Sequence, residues 1–203
     1  MIMHDDMPKF VRDLPVTTMS SVCREAWYQG LLSGCNGNAS LRFKTMPEYV
    51  CITRSGAAKG RLAKEDLCVV HMDDGRTLYG GPTSTEAGMH LAVYRVCPEC
   101  QAILHTHPRH LLALSLRLSG NVQDFLNLPL FEAKLWRSKL GFVPALPPGS
   151  RELASAVAHA AIDKPAVWMA DHGLCATGQS LTDALCLTEE LEHVAHVQLL
   201  SLT

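Results

Sequence analysis

Residues 102–110 read AILHTHPRH, an apolar run that opens into His105, Thr106 and His107, followed by Pro108 and His110. In a β-strand, side chains two residues apart project from the same face. If QAILH is a strand, His105 and His107 project together at the point where Pro108 stops regular pairing. Two neutral imidazoles converging on one point suit a transition metal, zinc above all. An HxH pair by itself reads more simply as two histidines with ordinary hydrogen bonds. The metal reading therefore needs support from elsewhere in the chain.

Three other patches have the chemistry to hold an anion. GCNGNASLR, residues 34–42, packs glycines and asparagines into a turn that can present N–H groups, with Asn38 among them. ITRSGAAKG, residues 52–60, places Ser55 and Gly56 after a strand, with Arg54 and Lys59 adding positive charge. GPTSTEAGMH, residues 81–90, sets Thr83, Ser84 and Thr85 before a helix start, where free N–H groups and the helix dipole favour negative charge. Glu86 follows at once. Each patch alone also fits a turn, a loop or an ordinary helix cap.

The elements that would position these residues alternate between helix and strand. Residues 17–33 have helical character, with Thr17 or Ser20 as cap and Gly34 as stop. NASLRF and YVCITR read as short strands, and 64–81 as a strand, an Asp-Asp-Gly turn and a second strand. Ser84 to Val96 reads as a helix, with Ser84 or Thr85 near its N-cap and Glu86 in its first turn. AILHTH is the next strand and 109–118 a helix. LPLFEAKLW, residues 128–136, reads as an apolar-rich strand carrying Glu132. Residues 150–163 form a helix, AVWMAD and LCATG are strands around Asp171-His172-Gly173, and residues 181–202 form a long C-terminal helix. The mixture, with hairpin signals, predicts an α/β domain whose sheet is at least partly antiparallel.

With 203 residues, 47% hydrophobic and 19% charged, the chain suits one domain with a substantial core. We expect an N-terminal extension over 1–16 and a single domain over 17–203. A net charge of −2 gives no basic footprint for nucleic acid. The N-terminus MIMHDDMPKF does not read as a signal peptide, and no apolar run approaches a membrane span. The expected setting is cytoplasmic, with neither nucleic acid nor membrane as partner. Eight cysteines in such a chain read as free thiols. Cys97-Pro-Glu-Cys100 lacks the second pair that a structural zinc site requires.

Five motifs in order, GNASLR, ITRSG, PTSTE followed by MHLAVY, AILHTHP and DHGLCATG, resemble the class II aldolase/adducin family of zinc-dependent sugar-phosphate aldolases and epimerases. The resemblance runs from about residue 17 to about residue 202. It implies a three-layer α/β/α sandwich around a largely antiparallel central sheet, assembled as a homotetramer. It implies one Zn2+ per subunit, or another divalent ion, held by His105, His107 and His172, with Glu86 beside the metal as general base. It implies a substrate phosphate held by Asn38, Ser55, Gly56, Ser84 and Thr85. Zinc with an open position would act as a Lewis acid on a substrate carbonyl and stabilise an enediolate, while Glu86 moves the proton on carbon.

The activity so implied is aldol cleavage of a ketose 1-phosphate, such as L-fuculose 1-phosphate, to dihydroxyacetone phosphate and an aldehyde. The chain departs from the pattern in two places. Where aldolases carry tyrosines after the HxH helix and in a C-terminal tail, this sequence has Glu132 and ends at LLSLT. Arg54 stands where the family commonly has proline, as a phosphate contact or as a solvent-facing charge. Glu132 reads either as a second catalytic acid or as a surface acid. If catalytic, it points to another lyase on the same site, a methylthioribulose-1-phosphate dehydratase-like enzyme or a decarboxylase. A 4-epimerase and a non-catalytic adducin-like binding module are the further alternatives. His90, His110, His193 and His196 read as structural or surface histidines.

Overall fold

The structure, a computed structural model, describes residues 9–202. Of the expected N-terminal extension, residues 1–8 lie outside the described ones. The rest is a short helix α1 (Lys9–Arg12) and the lead into α2 (Val16–Tyr28). In chain order there follow β1 (Asn38–Phe43), β2 (Met46–Thr53), β3 (Leu67–His71), β4 (Thr77–Tyr79), α3 (Ala87–Val96), β5 (Ala102–Thr106), α4 (Arg109–Arg117), α5 (Phe131–Ser138), β6 (Leu140–Val143), α6 (Arg151–Ala161), β7 (Ala166–Met169), β8 (Gly173–Gly178) and α7 (Leu181–Ser201).

The strands form one eight-stranded sheet in the order β4-β3-β2-β1-β5-β8-β7-β6. Every pairing is antiparallel except β6 with β7. The strands are apolar on both faces because both faces are covered. On β5, Ala102 and Leu104 enter one core with α2, α4 and α7, while Ile103 enters a second with α3 and α6. Trp168 and Met169 of β7 divide in the same way, as do Leu174 and Cys175 of β8. This period-two partition produces the three-layer α/β/α sandwich expected from the motifs. Each fully buried leucine, such as Leu104, contributes about 2 kcal/mol by leaving water.

Several helix ends follow ordinary capping chemistry. Ser150 and Ser180 accept hydrogen bonds from the N–H groups of Leu153 and Asp183 at the starts of α6 and α7. Other boundaries differ from expectation. α2 starts at Val16 behind Pro15, with no side-chain cap from Thr17 or Ser20, and ends at Tyr28. α3 starts at Ala87, so Glu86 is its N-cap residue rather than part of its first turn. The strand expected over 128–136 is in fact the helix α5, with Ala133 buried and Trp136, three residues on, packed against the same core. A short apolar run carries both periodicities, and its packing decides which one is used.

Candidate metal centre and active site

His105 lies at the C-terminal end of β5 and is fully buried. His107 sits just past the strand, its N–H bonded to the carbonyl of Leu31. His172 comes from the turn between β7 and β8, beside Asp171, whose φ of +58° is the left-handed conformation that aspartate tolerates better than most residues. The antiparallel register of β5 on β8 pairs Thr106 with Leu174 and carries that turn to the HxH corner. The three rings meet edge to face with centroids 4.9, 4.9 and 5.3 Å apart. One nitrogen from each can be chosen so that all lie within 4.8 Å of one another. Among the described residues, no other group of histidine, cysteine and acidic side chains is gathered this way.

Protonation states bear on whether these residues fit a cation. The Nδ1–H of His105 donates to the carbonyl of Leu174 at 3.0 Å, since a carbonyl only accepts. In the neutral ring, Nε2 then presents a lone pair. That lone pair lies 3.1 Å from Glu86 Oε2 and 3.1 Å from His107 Nε2. His172 Nε2 approaches Glu86 Oε1 at 3.1 Å, while its buried Nδ1 has no partner. Electron-pair donors crowded around one point fit a divalent ion. Burial above all pulls the pKa of His107 down to about 4, which keeps it a neutral ligand at pH 7. Burial acts to raise the pKa of Glu86. His105, His172 and the Asn38 amide outweigh it and hold the carboxyl well below the usual range.

Gly173 makes the close approach possible. A Cβ there would collide with the carbonyl oxygen of Thr106 and lie 2.9 Å from Cδ2 of His107. We predict that Gly173→Ala lowers stability by about 1–3 kcal/mol, because backbone rather than a flexible tip must move. It also weakens metal retention. Thermal unfolding and metal content after dialysis measure the two effects, and an unchanged melting temperature would refute the packing argument.

The cluster opens onto a cavity of about 290 Å3 lined also by Asn38, Ser55, Gly56, Ser84 and Thr85. A larger one, about 610 Å3, lies between α3 and α6, but the titratable groups that converge do so in the smaller. Ser84 Oγ accepts from the N–H of Glu86 at 3.3 Å. Gly56 has a φ of +71°. Arg54 reaches the same cavity and is ion-paired with Asp66 at 3.1 Å. Lys59, which in the sequence reads only as added charge, is 1% exposed. Its Nζ donates to the carbonyls of Cys35 and Ala57, and its backbone N–H to that of Gly34, tying the two glycine-bearing loops together. Among the described residues, no carboxylate lies within ion-pair distance of that ammonium, and burial lowers its pKa.

Not every expected residue comes to the site. Glu132 is exposed on the first turn of α5 and does not line the cavity. The amide of Asn38 does face the cluster, but it is engaged at both ends, its Nδ2 donating to Glu86 Oε2 at 2.9 Å and its Oδ1 facing His90 Nε2. His90 is fully buried behind it. Its spacing of four from Glu86 was the available signal, and without knowledge of β1 opposite, that spacing had no partner. His110 bonds Glu192 and stacks on His196 at 4.0 Å, away from the metal-competent trio. Cys97 and Cys100 are free thiols donating to the carbonyls of Ala161 and Ala102.

The profile of the Class II Aldolase and Adducin N-terminal domain matches residues 17–199. The chain is 35% identical over 181 residues to a 3-oxo-tetronate 4-phosphate decarboxylase of Haemophilus influenzae, covering 87% of this chain and 83% of that one. It is 34% identical over 174 residues to an L-fuculose phosphate aldolase of Methanococcus vannielii, covering 86% and 90%. The crystal structure of the L-fuculose-1-phosphate aldolase of Thermus thermophilus superposes with a TM-score of 0.78 at 30% identity, over 92% of this chain and 93% of that one. Both named activities are lyases. The order of the motifs, the sandwich that carries them and the extent of these matches agree: the chain belongs to the class II aldolase and adducin family.

Proposed function

We propose that the protein is a zinc-dependent lyase that breaks a carbon–carbon bond in a phosphorylated sugar, with aldol cleavage of a ketose 1-phosphate as the first reading. The observation that carries this is the meeting of His105, His107 and His172 with the Glu86 carboxylate at the floor of a cavity walled by anion-competent loops. The three imidazoles would hold the ion, and three neutral nitrogen ligands suit zinc. When bound, the ion supplies a Lewis acid for a carbonyl next to the bond that breaks. Glu86 carries the proton to or from the carbon left electron-rich by cleavage. Ser55, Gly56, Ser84 and Thr85 orient the phosphate, remote from that carbon. Among the described residues, no helix is long and apolar enough to cross a membrane. A cytoplasmic setting and a homotetramer belong to this reading as expectations.

A second reading, decarboxylation of a phosphorylated keto acid, has its own support. Aldol cleavage needs a base for the hydroxyl that becomes an aldehyde, whereas loss of carbon dioxide needs none. No tyrosine lines the cavity, and Glu132 lies elsewhere on the described chain. The Haemophilus relative is named for such a decarboxylation. Assaying the zinc-loaded protein against a panel of ketose 1-phosphates, 5-methylthioribulose 1-phosphate and 3-oxo-tetronate 4-phosphates separates the readings. Dihydroxyacetone phosphate release establishes the aldolase. Carbon dioxide release or dehydration without cleavage assigns the other lyase. Turnover of none of them by metal-loaded protein would sink the proposal.

Lys59 supplies a further check on the phosphate. A buried ammonium without a carboxylate partner gains most from a dianion beside it. Lys59→Met is expected to raise KM for phosphorylated substrate about tenfold to a hundredfold, the scale of a lost charge-assisted hydrogen bond. Unchanged KM would remove Lys59 from the phosphate site.

A further inference from the structure

We propose that Tyr94, Ser40, His90 and Asn38 form a one-way hydrogen-bond relay that holds the Glu86 carboxylate in its working orientation, with His90 as the positioning residue. The proposal rests on Glu86 being the proton carrier of the lyase reading. Two periodicities build the relay. Glu86, His90 and Tyr94 are four apart, at the N-cap and along one face of α3. Asn38 and Ser40 are two apart on β1 and face that stripe. All five are buried, with none more than 7% exposed.

The direction of every bond follows from its ends. An ionised carboxylate only accepts, so the Asn38 amide nitrogen faces Glu86 Oε2 and its oxygen faces His90. An amide oxygen also only accepts, so His90 carries its proton on Nε2. In the neutral ring Nδ1 is then an acceptor, and the Ser40 hydroxyl 2.7 Å away must donate to it. Ser40 has spent its proton, so the Tyr94 hydroxyl at 2.9 Å donates to Ser40. Each donor meets one acceptor from Tyr94 to Glu86, and reversal would require the carboxylate to donate. Burial pulls the pKa of His90 down to about 3 and raises that of Tyr94. Both remain in the protonation states that the relay needs.

The far end is anchored as well. The guanidinium of Arg42 lies 5.0 Å from the centroid of the Tyr94 ring and donates to the Tyr94 carbonyl at 2.6 Å. A buried polar chain in a sandwich core is costly unless every member is satisfied. This one is satisfied from Tyr94 to Glu86 Oε2 and ends on the acid beside the three histidines, the other oxygen of that acid facing His172 Nε2 at 3.1 Å. It also commits the Asn38 amide to Glu86, so that amide is held by the relay rather than left free to turn toward a phosphate.

The first test is nitrogen-15 NMR of histidine-labelled protein. His90, assigned by its loss in His90→Leu or His90→Gln, is expected as the Nε2–H tautomer, unchanged from about pH 5 to about pH 8. An Nδ1–H tautomer, or protonation in that range, overturns the relay. This result does not depend on any activity, so it stands apart from failure of the lyase reading. The second test uses kinetics. His90→Leu is expected to lower kcat about tenfold to a hundredfold with KM and metal content little changed, the scale of a misplaced reacting group. His90→Gln, whose amide N–H can reach Asn38, is expected to recover most of the loss. Equal losses in both variants, or an effect confined to KM, would assign His90 to packing alone.

Discussion

Replacing His105 by alanine is expected to abolish metal retention and activity together while leaving the sandwich assembled. His105 is fully buried and spends its Nδ1–H on the Leu174 carbonyl, so its remaining nitrogen is fixed in place before any ion arrives. A ligand oriented in this way loses no freedom on binding, and its removal takes one of three donors from the site. The variant also removes the Nδ1–H donor to the Leu174 carbonyl, a lost hydrogen bond of about 1 kcal/mol. The two cores on either side of the sheet do not depend on the imidazole. Elemental analysis after dialysis and circular dichroism on the same sample check both halves of the expectation. His172→Ala should behave alike, with less effect on stability because its Nδ1 has no partner to lose. Stoichiometric metal in either variant would refute the ligand assignment.

Glu86→Gln separates the metal from the proton. Glutamine preserves shape and an oxygen that accepts from the Asn38 amide, so the turn and the start of α3 should survive. It cannot carry a proton to carbon. We expect metal content near that of the parent protein and a fall in kcat of about a hundredfold to ten-thousandfold, the contribution of a positioned acid–base group. The direct measurement is exchange of the substrate carbon-bound hydrogen with deuterated water, followed by proton NMR. Exchange at the parental rate would place the proton carrier elsewhere. Loss of metal in this variant would make the carboxylate a ligand rather than a base.

Much of the arrangement was legible in the sequence because its signals are local. An apolar run ending in HxH specifies a strand that delivers two imidazoles to one corner. Hydroxyls before an apolar helix specify an anion-competent turn. Asp171-His172-Gly173 specifies a tight connection between two strands. The motif order, from GNASLR to DHGLCATG, identified the family and with it the sandwich. Elements that were misjudged are those with ambiguous local signals. LPLFEAKLW satisfies a strand pattern and a helix pattern alike, and packing of Ala133 and Trp136 selected the helix. The hydroxyl run offered Ser84 or Thr85 as the cap of α3, and the structure placed the cap one or two residues later, at Glu86.

What the sequence by itself determined, then, is which residues are chemically equipped and which face of its own element each occupies. Backbone periodicity dictates that much, at two residues for a strand and 3.6 for a helix. Tertiary structure alone decided which faces meet. Pairing of β5 with β8 carried His172 across 65 positions of chain to His107. Packing of α3 over β1 turned His90, Ser40 and Tyr94 from isolated polar residues into a chain of bonds ending on Glu86. Closure of two loops buried Lys59, and the exposed first turn of α5 carried Glu132 away from the cavity. Such contacts join segments far apart in sequence, and they form because both faces of the sheet must leave water at once, a demand that no local stretch of residues expresses.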